Sequence, residues 1–257
     1  MSHGSLRLAF PLALVLPLAA QDIAVTPAGS GRGPVARVAY VSDELTDGVS
    51  ELFGVPIDGS AAPVRLNAPL PAGGSVAGGC VQVRGGRVVF RADQLTDGMD
   101  ELFIVPDDAS ALPLRLSGTL QPAGDVSEFF PHDDFVLYRA DASVDGRDEL
   151  YRVPLDASAP PLALTPGLDV YRFYAASRDG TRVVFSTYPF VEERLYVVPT
   201  DASAAPLDLA GSGIPTGFAA TFFWQVELTC DGQRVVFLRV EDDDSFLYCE
   251  LWSAKLD

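Results

Sequence analysis

Lysine is all but missing from this 257-residue chain, with Lys255 the only one. The arginines are scattered and the formal net charge is −17. Nucleic acid is therefore excluded as a partner, because phosphate binding rests on clustered Lys and Arg. Histidine is nearly as scarce, limited to His3 and His132. His132 stands beside Asp133 and Asp134 and reads as a solvated or structural turn residue. Neither a G-x-S-x-G elbow nor an H-E-x-x-H pair occurs, and no cysteine lies near a histidine in a recognisable pattern. The three cysteines, Cys80, Cys230 and Cys249, are too few for a disulfide framework or a Cys-based zinc site. They read as small buried residues, with Cys230–Cys249 the one pairing worth checking. Helical periodicity is missing too, since no apolar pattern of period 3.6 persists for a dozen residues.

Long apolar runs are missing with one exception, the stretch from Leu8 to Ala20 that follows Arg7. Its length suits a signal-peptide core and is too short for an ordinary membrane span. Leu18-Ala19-Ala20 before Gln21 makes an acceptable cleavage site. Residues 1–20 are thus expected to be a signal peptide cut after Ala20, with 21–257 a single secreted or periplasmic domain without a membrane span. A competing reading is specific to this sequence. Pro11-Leu12-Ala13-Leu14 carries the same letters as Pro161-Leu162-Ala163-Leu164, so the leader could be a degenerate strand of the fold.

What the chain does have is repetition, which marks solenoids, propellers or arrays. The stretch DQLTDGMDELFIVPDDASALPLRL from Asp93 returns from Asp43 as DELTDGVSELFGVPIDGSAAPVRL and from Asp141 as DASVDGRDELYRVPLDASAPPLAL. A shortened copy, RLYVVPTDASAAPLDL, runs from Arg194 to Leu209. Each repeat closes a β-branched run on an aromatic, at Tyr40, Phe90, Tyr138, Phe185 and Phe237, spaced 50, 48, 47 and 52 residues apart. A second aromatic follows leucine at Phe53, Phe103, Tyr151, Tyr196 and Trp252. Short Val/Ile/Phe/Tyr runs bounded by Gly, Asp and Pro read as strands.

Four strands per repeat follow. Strand a precedes a tight turn such as Gly85-Gly86, where glycine tolerates positive φ. Strand b is the RVVF run. Strand c is the ELF-V run, stopped by Pro56, Pro106, Pro154 or Pro199, which lack a backbone donor. After an Asp-[Ala/Gly]-Ser turn, strand d ends at Leu66, Leu116, Leu164 or Leu209. The repeats fall near 35–66, 75–116, 125–164, 168–209 and 220–257. The expected fold is all-β, a β-propeller of about five four-stranded blades, or six with a degenerate N-terminal one. The fifth repeat stops where its strand d should begin. Ile23-Ala24-Val25-Thr26-Pro27 resembles Leu162–Pro166 and is expected to supply that outer strand, leaving the first blade irregular near Gly29–Gly33. Trp224 is expected to pack between blades.

The segment SRDGTRVVFSTYPFVEERLYVVPTDASAAPLDLAG, Ser177 to Gly211, resembles the TolB-like, WD40-like (PD40-type) propeller repeat. That family's blade carries an S-P-D-G turn, an apolar strand ending in an aromatic, an E-L-Y strand and a terminal L-T. The likeness covers Arg37 to the C-terminus. This chain departs from the pattern at Arg84-Gly85-Gly86 and Pro131-His132-Asp133, and such propellers usually have six blades.

The most distinctive polar features are the b–c loops: Asp43, Asp47 and Glu51; Asp93, Asp97 and Glu101; Asp141, Asp145 and Glu149. The fifth repeat offers Glu241-Asp242-Asp243-Asp244. In a propeller these loops share a face with the d–a loops, so carboxylates would ring that face and suit Ca²⁺ or a basic partner. The EF-hand pattern is not met, since its third position is Leu45, Leu95 or Ser143. The plainer reading is that Asp-Gly closes a long hairpin and the aspartates solvate it. The leading expectation is a non-enzymatic scaffold that binds a protein or small ligand through this loop face, with no cofactor beyond Ca²⁺. Two alternatives stand beside it: a hydrolase or lyase with carboxylates or metal in the channel, and a propeller separated from a hydrolase domain it once gated.

Overall fold

The computed structural model describes residues 22–26, 36–187, 193–209, 221–229, 231–242 and 247–256. The leader 1–20, the Gly29–Gly33 stretch and the side chains of Trp224, Cys80, Cys230 and Cys249 lie outside them. Among the described residues every regular element is a strand, and no helix is long and apolar enough to cross a membrane. The chain divides into two compact units, 1–98 with 103–114, and 99–102 with 115–257.

In the first unit, β1 (Asp22–Thr26), β2 (Arg37–Ser42), β3 (Glu51–Pro56) and β4 (Val64–Arg65) form one sheet in that order. A second sheet follows as β5 (Val76–Arg84), β6 (Arg87–Ala92), β7 (Glu101–Pro106) and β8 (Leu114–Arg115), its outermost residues counting with the second unit. The two sheets bury one cluster between them: Ala39, Val41, Leu52 and Leu66 against Val76, Val88, Phe90, Ala92, Phe103 and Val105. A fully buried side chain such as Phe90 contributes about 2 kcal/mol of hydrophobic stabilisation.

The placement of β1 corrects one expectation. Its residues pair antiparallel with β2 in the register Ile23↔Tyr40 and Val25↔Val38, so this segment is the first strand of the first sheet, not the outer strand of the fifth. The RVAY strand has backbone groups on both edges to satisfy, and a partner that ends eleven residues before Arg37 pairs at little loop-closure cost.

The second unit holds three sheets. β9 (Val126–Pro131), β10 (Phe135–Ala140), β11 (Glu149–Pro154) and β12 (Leu162–Ala163) form the first. The next is β13 (Val170–Ala176), β14 (Arg182–Thr187), β15 (Arg194–Pro199) and β16 (Leu207–Asp208). The last has three described strands, β17 (Thr221–Leu228), β18 (Arg234–Asp242) and β19 (Leu247–Lys255). Glu241 and Asp242 therefore belong to a strand, not to a loop.

The paired aromatics have a physical reason. They are cross-strand partners of strands b and c, as in Tyr40↔Phe53, Tyr138↔Tyr151 and Phe185↔Tyr196. Their rings stack at 5.6, 5.2 and 5.4 Å between centroids, and such pairs are the unit of sheet stabilisation. Strand a is bulged where it meets strand b, for example between Phe173 and Ala175, which increases the local twist.

The c–d turns repeat one device. The carboxylates of Asp58, Asp108, Asp156 and Asp201 accept the N–H two residues on, at 3.0, 2.9, 3.0 and 3.0 Å. The serine hydroxyl and amide hold Asp58, Asp108 and Asp201 below the usual aspartate range. The central residue is left-handed in every copy: Gly59 at φ 69°, but Ala109, Ala157 and Ala202 at 58°, 52° and 54°. Alanine there sets Cβ against the next carbonyl, at about 1 kcal/mol. Ala157→Gly is therefore expected to stabilise the fold by about 0.5 kcal/mol, since glycine's extra unfolded freedom offsets part of the gain. A urea midpoint that falls instead would refute this.

Candidate functional site

The b–c loops, residues 43–51, 93–101 and 141–149, share one internal design. Their first aspartate bends back onto the loop. Asp93 Oδ2 and Asp141 Oδ2 accept the N–H of Gly98 and Gly146 at 3.0 Å each, and Asp43 Oδ2 accepts that of Gly48 at 3.5 Å. Those glycines sit at φ 73°, 70° and 76°, where a side chain would be strained. The middle aspartates, Asp47, Asp97 and Asp145, are exposed at the loop tips.

The glutamates are buried. Glu51, Glu101 and Glu149 are 4%, 2% and 3% exposed. Glu51 Oε1 accepts Arg65 Nη1 at 2.9 Å, and Glu101 Oε1 accepts Arg115 Nη1 at 2.7 Å. Each pair ties the start of a c strand to the d strand. In the third repeat the d strand offers Ala163 instead, and Glu149 is held differently. Arg147 Nη2 and the Gly167 N–H donate to Oε1 at 2.9 and 2.7 Å, while Ser143 Oγ and Tyr151 Oη donate to Oε2 at 2.8 and 2.7 Å. Burial alone would push the Glu149 carboxyl up. The hydrogen bonds from Gly167, Tyr151 and Ser143, with the Arg147 charge, outweigh it and hold the group below the usual glutamate range. Glu51 Oε2 and Glu101 Oε2 have no hydrogen-bond partner, for Phe53 and Phe103 stand where Tyr151 donates. The fourth repeat inverts the pair, with Arg194 Nη1 at 3.5 Å from Asp208 Oδ2.

Each loop also bonds, within one unit, to the strand a that follows it. Ser50 O accepts the Val76 N–H at 2.8 Å, Asp100 O that of Val126 at 2.8 Å, and Asp148 O that of Val170 at 2.6 Å. Carboxylates return the bond: Asp125 Oδ1 accepts the Asp100 N–H at 2.7 Å and Asp169 Oδ1 the Asp148 N–H at 3.1 Å. Asp93 Oδ1 accepts the Ser75 N–H, and Asp141 Oδ1 that of Asp125 at 2.5 Å. Most of the acidic residues singled out by spacing thus hold backbone amides or guanidinium groups. Among the described residues no three His, Cys, Asp or Glu side chains converge as a metal ion needs. As folded, the loops fit Ca²⁺ poorly, because its ligands would have to leave the amides they cap.

His132 is a packing residue. Its ring stacks on Phe135 at 4.7 Å, and a Cβ added at Gly180 would lie 2.9 Å from it.

One cleft does stand open at this end of the second unit. It encloses about 310 Å³ and is lined by Arg139, Asp148, Asp169, Val170 and Tyr171. Among the described residues, Arg139 is the one cation in its lining. Its Nε donates to Ser127 Oγ at 3.0 Å and lies 3.2 Å from Asp148 Oδ2, and its Nη1 donates to Val170 O at 3.3 Å and to Tyr171 O. Ser127 Oγ donates to Asp148 Oδ2 at 3.0 Å. Burial pushes the Asp148 carboxyl above the usual aspartate range, with Asp141 and Asp169 adding to the effect against the pull of Arg139 and Ser127. Tyr171 is 42% exposed, and the Arg172 guanidinium sits 5.0 Å from its ring centroid, a cation–π contact. The cleft therefore offers carboxylate oxygens and an aromatic face around an arginine whose Nε and Nη1 are held by the protein. Sequence reasoning missed these residues, because Val170 and Tyr171 reach Arg139 only once sheets three and four are adjacent. The one signal was Arg139 itself, a charge inside the strand FVLYRA.

No protein-family model and no curated protein matches this sequence. Solved structures do resemble its fold. A puromycin-hydrolyzing peptidase of Mycobacterium tuberculosis is 16% identical over 91% of this chain and 36% of that one, with a TM-score of 0.54. An oligogalacturonate lyase of Vibrio parahaemolyticus is 12% identical over 86% and 63%, with a TM-score of 0.53. Dipeptidyl peptidase 4 of Porphyromonas gingivalis is 11% identical over 86% and 32%, with a TM-score of 0.55. The chain thus spans about a third of the length of the two peptidases. All are propeller-type folds, and this chain is an all-β protein of that type.

Proposed function

We propose that this β-propeller is a non-enzymatic binding module, exported to the periplasm or beyond, that docks a positively charged segment of a partner protein. The docking point is the cleft among Asp148, Asp169 and Tyr171. The observation that carries the reading is the pair of carboxylates, Asp148 and Asp169, that line one cleft beside the exposed Tyr171. With the Arg139 guanidinium held by Ser127, Asp148 and two backbone carbonyls, the cleft's remaining groups suit a lysine or arginine side chain from a partner. Asp145, exposed near the same loop, and the net charge of −17 would steer such a partner inward. The bonds from the Asp148 N–H to Asp169 and from the Val170 N–H to Asp148 O hold the carboxylates in place before binding, which limits the ordering cost of association.

The test is titration of an arginine-rich peptide into the purified protein. Asp169→Asn is expected to weaken binding by about tenfold, and raising salt well above physiological strength is expected to weaken it further. Affinity indifferent to both changes would overturn the reading. A second reading rests on Asp148, whose raised carboxyl in a cleft is the perturbation that general acids show. A hydrolase or lyase activity abolished by Asp148→Asn, with peptide binding retained, would favour it.

A further inference from the structure

The chain contains six Asp-Gly steps, Asp47-Gly48, Asp58-Gly59, Asp97-Gly98, Asp145-Gly146, Asp179-Gly180 and Asp231-Gly232, and the structure gives them unequal protection. At such a step the glycine backbone nitrogen can attack the aspartate Cγ. A C–N bond forms, the carboxyl oxygen leaves as water, and a five-membered succinimide results. Water then reopens the ring at either carbonyl, returning aspartate or a β-linked isoaspartate. Atoms balance without an oxidant or a second reactant, and the chain keeps its mass. The reaction needs a carboxyl free to rotate and a glycine N–H free to lose its proton.

Three steps lack both freedoms. Asp179 Oδ1 accepts Ser177 Oγ at 2.6 Å, the Thr181 N–H at 3.1 Å and Thr181 Oγ1 at 2.9 Å. The Gly180 N–H is bound to Ser177 O at 2.8 Å. Asp231 repeats this, accepting Thr229 Oγ1 at 2.6 Å and the Gln233 N–H at 3.0 Å, with the Gly232 N–H on Thr229 O at 2.8 Å. Asp58 accepts the Ser60 N–H at 3.0 Å, with the Gly59 N–H on Pro56 O at 3.1 Å. These bonds favour the ionised carboxylate, the poorer electrophile.

The b–c loops differ. The Gly98 and Gly146 N–H groups donate to the carboxylates of Asp93 and Asp141 at 3.0 Å, but Gly48 reaches Asp43 only at 3.5 Å. The Asp97 carboxylate packs on Gly73, where an added Cβ would lie 2.7 Å from it. An added Cβ would meet nothing within 4 Å at Gly48, Gly98 or Gly146 alike, so the longer amide bond at Gly48 is what sets Asp47 apart from Asp145.

We infer that Asp47 is a site of spontaneous isoaspartate formation, the first of the six to convert in the folded protein. Conversion inserts one backbone atom into loop 43–51 and moves the carboxylate to the main-chain position, with no change of charge. The tip of this loop is thus the first of the six Asp-Gly steps to age.

The experiment incubates the whole protein at neutral pH and 37 °C and follows isoaspartate at each step by peptide mapping with electron-transfer fragmentation. A parallel sample in concentrated urea removes the structural protection. Asp47 is expected to convert about tenfold faster than Asp179 and Asp231 in the folded chain, as the loss of a charge-assisted hydrogen bond implies. In urea the six rates should converge. Equal rates in the folded chain, or any of the other five steps leading, would overturn the inference. So would an Asp47 preference that persists undiminished in urea, since it would then come from local sequence.

Discussion

Glu149→Ala is expected to lower stability by about 3 kcal/mol, which for a chain of this size is a fall in Tm of roughly 10 °C. The carboxylate is 3% exposed and accepts four donors, from Arg147, Gly167, Ser143 and Tyr151. Alanine leaves the buried Tyr151 hydroxyl, in a residue only 8% exposed, without its acceptor. That loss is larger than the net value of any one of the bonds. The pH dependence follows from the depressed Glu149 carboxyl. Its folded value lies below the reference of 4.5, so its contribution is full above that reference and is lost as pH falls through the folded value. Thermal melts of wild type and variant should therefore differ most at neutral pH and converge in acid. A loss at pH 7 no larger than that of a surface substitution, about 0.5 kcal/mol, would show that water replaces the carboxylate.

The second large effect concerns Arg115. Its partner Glu101 is 2% exposed, and the pair is 2.7 Å long. Arg115→Met is expected to cost about 2 kcal/mol, the low end for stranding a buried charge, because a third of the arginine side chain is open to solvent. Adding Glu101→Leu should recover much of that loss, since the uncompensated carboxylate is then gone. The fourth repeat supplies the control. Its inverted pair, Arg194–Asp208, is exposed at both ends and 3.5 Å long, so Arg194→Met is expected to change stability by no more than about 0.5 kcal/mol. Urea unfolding of the three variants decides the matter, and equal costs for Arg115→Met and Arg194→Met would sink the argument from burial.

The strands were legible because they carry local signals. RVVF and ELF runs alternate, proline closes each c strand, and the left-handed residue follows the aspartate in each c–d turn. The first strand was misassigned because its five residues suit a strand d as well as a strand a, and only pairing distinguishes them. The loop glutamates were misleading for a related reason. Glu101 sits beside exposed aspartates in sequence, but its partner Arg115 lies on another strand, so spacing alone cannot reveal that the carboxylate is buried. The cleft was beyond reach because its members come from loops and strands of two sheets.

The inverted pair has a consequence for how such a chain finds its own fold. Near-identical repeats can exchange partners while folding, a common route to misassembly in repeat proteins. Were β15 to pair with the Leu114–Arg115 segment, Arg194 would face Arg115, and the reciprocal error would set Glu101 against Asp208. Both mistakes place like charges together at the edge of a sheet, where opposition is destabilising. Charge polarity thus acts as an address written on otherwise similar strands, and reversing the Arg194–Asp208 pair to match the first two repeats would erase it while keeping opposite charges at that place.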